Sequence, residues 1–197
     1  MVERSGVELH LNVQVTPEMV LNASPDVVII ATGGIPLTIP FPGLEETNWL
    51  LAADLLDGMA QMNTTTAFVI GGRLVGLESA DYLSARGVQV TLVEMLPEVG
   101  AEMDVLAKGM LLGRLKKQGV AMHTRTRVTG LTKHNALVDK DGSPVRFPIE
   151  TVIMAVGVRP DRSLAEALGT PSRPEKHWKQ SRRALKSGWS CRAAKGG

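Results

Sequence analysis

The chain has 197 residues, 44% of them hydrophobic and 21% charged, with 20 glycines and 4% aromatics. This exceeds one typical domain of about 100–150 residues and matches a soluble α/β chain rather than a disordered or fibrous one. Its net charge of +2 conceals an asymmetry: residues 1–170 carry 14 Lys/Arg against 19 Asp/Glu, whereas residues 171–197 carry 8 against 1, so the body is acidic and the tail basic.

No apolar run reaches the roughly 18 residues that a membrane helix needs, and the N-terminus lacks a signal-peptide stretch, so no membrane association is expected and the expected location is cytoplasmic. Cys191 is the only cysteine. It excludes an intrachain disulfide, a C-x-x-C pair and an iron–sulfur ligand set, so electron transfer would need a bound cofactor. His10, His123, His134 and His177 have no metal-site spacing, and no metal site is expected.

In chain order, Val7 to Val13 alternates apolar and polar residues, the pattern of a half-buried strand. Asp26 to Gly34 is a β-branched run, apolar on both faces and ended by glycines, which predicts a central parallel strand. Ile35 to Pro42, with prolines at 36, 40 and 42, reads as a linker unable to continue a sheet ladder. Ala67 to Ile70 predicts a second buried strand running into Gly71-Gly72-Arg73-Leu74-Val75-Gly76. A helix follows, with Leu74, Leu77, Ala80, Asp81, Leu83 and Ser84 at helical spacing and Gly87 as its stop. Val88 to Glu94 is the next strand, which completes a βαβ unit with parallel, right-handed connection.

Asp104 to Gln118 predicts an amphipathic helix with Leu106, Met110, Leu111 and Leu115 on one side, Lys116 and Lys117 in its last turn and Gly119 as terminator. Residues 120–149, with an Asp141-Gly142 turn, predict a small antiparallel meander. Thr151 to Gly157 returns to the buried-strand pattern, and Ser163 is expected to cap a short helix through Leu168. The fold class expected is α/β, a Rossmann-like parallel sheet with a small antiparallel meander.

In the dinucleotide fingerprint G-x-G-x-x-G the first glycine makes the turn, the second admits the pyrophosphate to the backbone, and the third lets the helix pack closely. The helix N-terminus then offers N–H groups and positive dipole to phosphate. Gly71 and Gly76 fill the first and third positions, but Arg73 stands at the second. Glu94 closes the following strand, where a carboxylate accepts ribose 2′-hydroxyl bonds and favours NAD over NADP. A Rossmann-like unit that binds another nucleotide or none is the alternative.

Five segments, DVVIIATG (26–33), Pro42-Gly43, FVIGGRLVGLE (68–78), VTLVEM (90–95) and TVIMAVGVRPD (151–161), stand in an order that resembles the pyridine-nucleotide-disulfide oxidoreductase superfamily, in particular the reductase portion of 2,4-dienoyl-CoA reductase and related NADH:flavin oxidoreductases. The resemblance covers about residues 5–168. It implies an NAD domain inserted into an FAD domain, with hydride passing from nicotinamide to flavin. It implies that Gly71, Leu74, Val75 and Gly76 cradle the NAD pyrophosphate and Glu94 the adenosine ribose, with Gly72 and Arg73 also among the cofactor-binding residues. Glu78 and Gly157 would lie near the nicotinamide, and Ala31, Thr32 and Gly33 at the crossing between the two domains. Glu78 has an alternative as an acid favoured by the helix dipole, and Thr32 and Arg159 as residues that stabilise a strand-to-turn corner.

The same resemblance implies a division into residues 1–42 (FAD-domain remnant and linker), 43–156 (NAD domain), 157–170 (return segment) and 171–197 (basic tail). The family's earlier glycine fingerprint for FAD and later Gly-Asp segment are not found, so FAD binding is expected only where the missing parts of its site are supplied. The chain reads as a truncated fragment with a frame-shifted or unrelated end, whose job is at most NAD(H) binding, in association with missing flavin and substrate domains. A non-catalytic nucleotide-binding module is the alternative. The tail, with Trp178 and Trp189 between basic residues, is expected to be disordered rather than to bind nucleic acid. Arg73 is expected to weaken dinucleotide binding by crowding the ligand.

Overall fold

The computed structural model describes residues 6–60 and 62–169. Expectations for the basic tail, residues 171–197, lie outside the described residues. The chain divides into two compact units, residues 33–161 and the flanking residues.

The larger unit is built on a five-stranded parallel sheet. Its strands are β2 (Trp49–Leu51), β3 (Thr66–Ile70), β4 (Gln89–Val93), β5 (Ala121–His123) and β9 (Thr151–Met154), in the order β2-β9-β3-β4-β5. β3 and β9 are central and buried along almost their whole length, which is why their sequences are continuously apolar rather than alternating. Ala67 and Val69 of β3 enter a core shared with the helices α2 (Ala52–Leu56), α3 (Leu74–Ser84) and α4 (Val105–Lys117). The alternate residues Phe68 and Ile70 enter a second core against an antiparallel meander of β6 (Thr126–Thr132), β7 (Asn135–Lys140) and β8 (Ser143–Pro148). The sheet thus lies between a helical layer and a β layer, each taking one side-chain parity of the strand. This is the Rossmann-like α/β fold expected, with its meander.

Local chemistry explains the element ends. Asp104 caps α4 by accepting from the N–H groups of Leu106 (2.9 Å) and Ala107 (3.2 Å). Asp141 and Gly142 both take positive φ, 49° and 81°, as a tight hairpin turn requires. Arg114 of α4 grips Asp81 of α3 through two bonds of 2.7 and 2.6 Å, and this guanidinium holds the Asp81 carboxyl below its usual range.

Several expectations are corrected. Ala121–His123 is not part of the meander; it pairs parallel with Thr91–Val93, because the turn after α4 returns the chain to the sheet in the crossover sense. Of the four residues assigned to the inner side of α4, Leu111 and Leu115 are buried while Leu106 and Met110 stay 73% and 67% exposed. The two i,i+4 pairs are five residues out of step and so point about 140° apart, and the later one packs. Gly34–Pro36 (β1) is not a linker but pairs antiparallel with Val158–Pro160 (β10), an edge ladder short enough to tolerate its prolines.

In the smaller unit the described residues form α1 (Pro17–Ala23), capped by Thr16, and α5 (Ser163–Ala167), whose N-cap is Arg162 rather than Ser163. Neither Val7–Val13 nor Asp26–Thr32 is a strand. Val27 and Ile29 are 73% and 88% exposed; a two-sided apolar strand needs neighbouring strands, and this unit has no strand among its described residues.

Candidate functional site

The site forms where β3, β4 and β9 end, at the carboxyl edge of the parallel sheet beside the position where strand order reverses. Ligands of open α/β sheets collect there. A cavity of about 420 Å³ opens at this edge, with Ile70, Gly71, Arg73, Glu94, Met95 and Val156 in its wall.

Gly71 joins β3 to the loop with φ of +111°, and its N–H donates to the Val93 carbonyl (2.9 Å). A Cβ at Gly71 would stand 2.3 Å from the Ala155 carbonyl oxygen. At Gly76 a Cβ would stand 2.0 Å from the Gly71 carbonyl oxygen and 3.3 Å from the Ala155 Cβ. Both glycines are therefore imposed by close approach of the loop to β9 and of α3 to the loop, the two roles of the first and third positions of a dinucleotide fingerprint.

Arg73 departs from that pattern without straining the backbone. Its φ of −79° and ψ of −178° are extended values open to any residue, and its side chain is 62% exposed. The helix α3 starts immediately after it, at Leu74. The guanidinium Nε lies 3.3 Å from Glu102 Oε1, and the same oxygen accepts from the Leu74 N–H at 2.9 Å. Burial raises the Glu102 pKa, but these donors outweigh it and the net effect holds the carboxyl below its ordinary range.

Glu94 is only 6% exposed. Its two oxygens accept from the Gly72 N–H at 2.6 Å and the Leu96 N–H at 2.9 Å. Gly72 is packed against it, since a Cβ there would meet the Glu94 Cβ at 2.9 Å. The Gly72 carbonyl in turn accepts from the Gly100 N–H at 2.7 Å, so the segment after β4 is fastened onto the glycine loop.

Thus Gly71, Gly72, Arg73, Leu74, Val75, Gly76 and Glu94 come together around one helix N-terminus. Glu78 lies one turn into α3 on its exposed side. Gly157, with φ of +114°, follows β9 and its carbonyl accepts from the Leu37 N–H. Gly33, with φ of +76°, offers its carbonyl to the Asp161 N–H beside the β1–β10 ladder, and Arg159 is exposed within that ladder. Ala31 and Thr32 belong to the smaller unit and are exposed. Glu102 was not foreseen: it stands 28 residues from Leu74 in an irregular turn and belongs to no motif. Among the described residues no helix is long and apolar enough to cross a membrane.

An NADH oxidase of Thermoanaerobacter brockii is 34% identical over 81% of this chain and 25% of its own length. A bilirubin reductase of Mediterraneibacter gnavus is 32% identical over 82% of this chain, again 25% of its own length. The chain therefore spans about a quarter of the length of these relatives. A solved 2-naphthoyl-CoA reductase, 23% identical, superposes with a TM-score of 0.76 over 85% of this chain and 26% of its own, a likeness of fold. The pyridine nucleotide-disulphide oxidoreductase family matches residues 2–179, and with that extent of agreement the chain belongs to this family.

Proposed function

We propose that the chain is the NAD(H)-binding part of a flavin-dependent NAD(P)H oxidoreductase. The observation that carries this reading is the loop of Gly71 to Gly76, closed too tightly for any Cβ at its ends and opening onto the cavity that Glu94 flanks. In this reading Gly71, Leu74, Val75 and Gly76 hold the pyrophosphate at the α3 N-terminus, with Gly72 and Arg73 in the same binding loop. Glu94 accepts the ribose hydroxyl bonds; each of its oxygens takes one backbone N–H and keeps acceptor capacity for a second donor. The same carboxylate would repel a 2′-phosphate, which favours NAD(H) over NADP(H).

Glu78 and Gly157 are assigned to the nicotinamide end, and Ala31, Thr32 and Gly33 to the crossing with an FAD domain. When bound, NADH supplies a hydride and FAD accepts it. This chain's share of the reaction is to bind and orient the nucleotide, with the flavin held where the remaining parts of its site are supplied.

Titration of the protein with NADH, followed by nicotinamide fluorescence, tests the reading, with NADPH in parallel. Saturable binding of NADH, at least about tenfold tighter than NADPH, is expected, a difference of roughly 1.4 kcal/mol. Equal indifference to both would remove the dinucleotide assignment and leave a non-catalytic module.

A further inference from the structure

Three backbone donors of the glycine loop are already engaged. The Gly71 N–H belongs to the sheet, through Val93, and the Gly72 N–H to Glu94, a buried side chain. The Leu74 N–H, the first of α3, differs. Its acceptor is Glu102, whose side chain remains 34% exposed on a turn and is also gripped by Arg73. A carboxylate at a helix N-terminus occupies the place of an anionic ligand, because the free N–H groups and the dipole attract either one. Glu94 and Glu98 line the same recess as Arg73 and Glu102, so a phosphate arriving there meets three carboxylates and one guanidinium.

We propose that Glu102 is an internal substitute for phosphate: it occupies the pyrophosphate position of the free protein, and a dinucleotide binds by displacing it from Arg73 and taking over the Leu74 N–H. Glu102 thereby sets the affinity of the site. This rests on the dinucleotide assignment above and goes beyond it, since Glu102 opposes binding rather than assisting it. A site whose competent form is populated only in part binds more weakly by that fraction. Freeing it is worth about tenfold, equivalent to roughly 1.4 kcal/mol.

Glu102→Gln is the informative variant, because its amide oxygen still accepts from the Leu74 N–H while the charge is gone. Glu102→Ala removes the acceptor as well. Calorimetric titration of the full chain and both variants with ADP-ribose, which carries the pyrophosphate, and with adenosine, which does not, separates the cases. Both variants should bind ADP-ribose about tenfold more tightly than wild type, with adenosine unchanged. Unchanged or weaker ADP-ribose binding in a folded Glu102→Gln, checked by circular dichroism, overturns the proposal and makes Glu102 a helix cap alone. A parallel gain for adenosine also overturns it, because the effect would then lie outside the phosphate position. If none of the three proteins binds ADP-ribose, the dinucleotide assignment itself fails and takes this proposal with it.

Discussion

Glu94→Gln is the sharpest test of how the loop is held. In the wild type each carboxylate oxygen of Glu94 accepts one backbone N–H, from Gly72 at 2.6 Å and from Leu96 at 2.9 Å, and the residue is 6% exposed. Glutamine has one carbonyl oxygen, so one of the two N–H groups must face an NH₂ group. Hydrogen bonds to charged groups contribute about 1.5–3 kcal/mol net. Losing one such bond, with the other reduced to neutral strength, predicts a destabilisation of about 2–3 kcal/mol. For a chain of this size that lowers the thermal midpoint by roughly 4–12 °C. Scanning calorimetry without nucleotide reads it directly. A midpoint within 1 °C of wild type would refute the reasoning and leave Glu94 as a ligand residue only. The same geometry means that weaker NADH binding after Glu94→Ala reports loop support and ribose recognition together.

Four further outcomes are expected. Gly76→Ala should cost about 1–3 kcal/mol and abolish NADH binding, because its Cβ would stand 2.0 Å from a backbone oxygen. Gly113→Ala, on an exposed stretch of α4 with nothing within 4 Å, should stabilise by about 0.5–1 kcal/mol; urea denaturation of the two gives opposite signs or the packing account is wrong. Arg73→Gly should tighten NADH binding at least about tenfold, by roughly 1.4 kcal/mol, since it removes both the Cβ in the loop and the partner that holds Glu102; calorimetric affinity in the wild type equal to that variant would make Arg73 a phosphate ligand. Glu150, which accepts from the Thr64 hydroxyl, the Thr65 N–H and hydroxyl, and the Thr66 N–H, has its pKa lowered from 4.5 to about 2. Its stabilising contribution is therefore present above about pH 4.5 and lost as pH falls from there towards 2. Glu150→Gln should flatten that part of the urea-midpoint profile, and an unchanged slope would count against the contact.

The βαβ unit was legible because its local signals agree. The apolar run of β3, the two glycines forced by close approach, the α3 stripe of Leu77, Ala80 and Leu83, and Glu94 at the end of β4 all specify the same turn. The Asp26–Thr32 segment was misread for the opposite reason. Its pattern describes the surroundings a strand would need, and hydrogen-bonding partners have no trace within the segment itself. Leu106 and Leu111 show a similar limit, since equal i,i+4 spacing cannot say which of two adjacent faces meets the sheet.

Arg73 was legible as an anomaly but not as a structure. From sequence, a side chain at the second fingerprint position implies crowding of the ligand, and that remains the reason to expect Arg73→Gly to bind better. The fold adds a competitor that no spacing rule contains, because Glu102 reaches Leu74 and Arg73 only through the turn that Gly100 fastens to Gly72. A fingerprint registers which donors the backbone can offer, whereas affinity depends on what occupies those donors before the ligand arrives. Here the Gly72 donor is engaged by Glu94, proposed above for the ribose, and the Leu74 donor by Glu102, proposed to leave when a dinucleotide binds. On that proposal two acids of the same charge, 8 residues apart in sequence, act in opposite senses on one ligand: the buried one supports the loop and the hydroxyl contacts, and the exposed one competes with the phosphates.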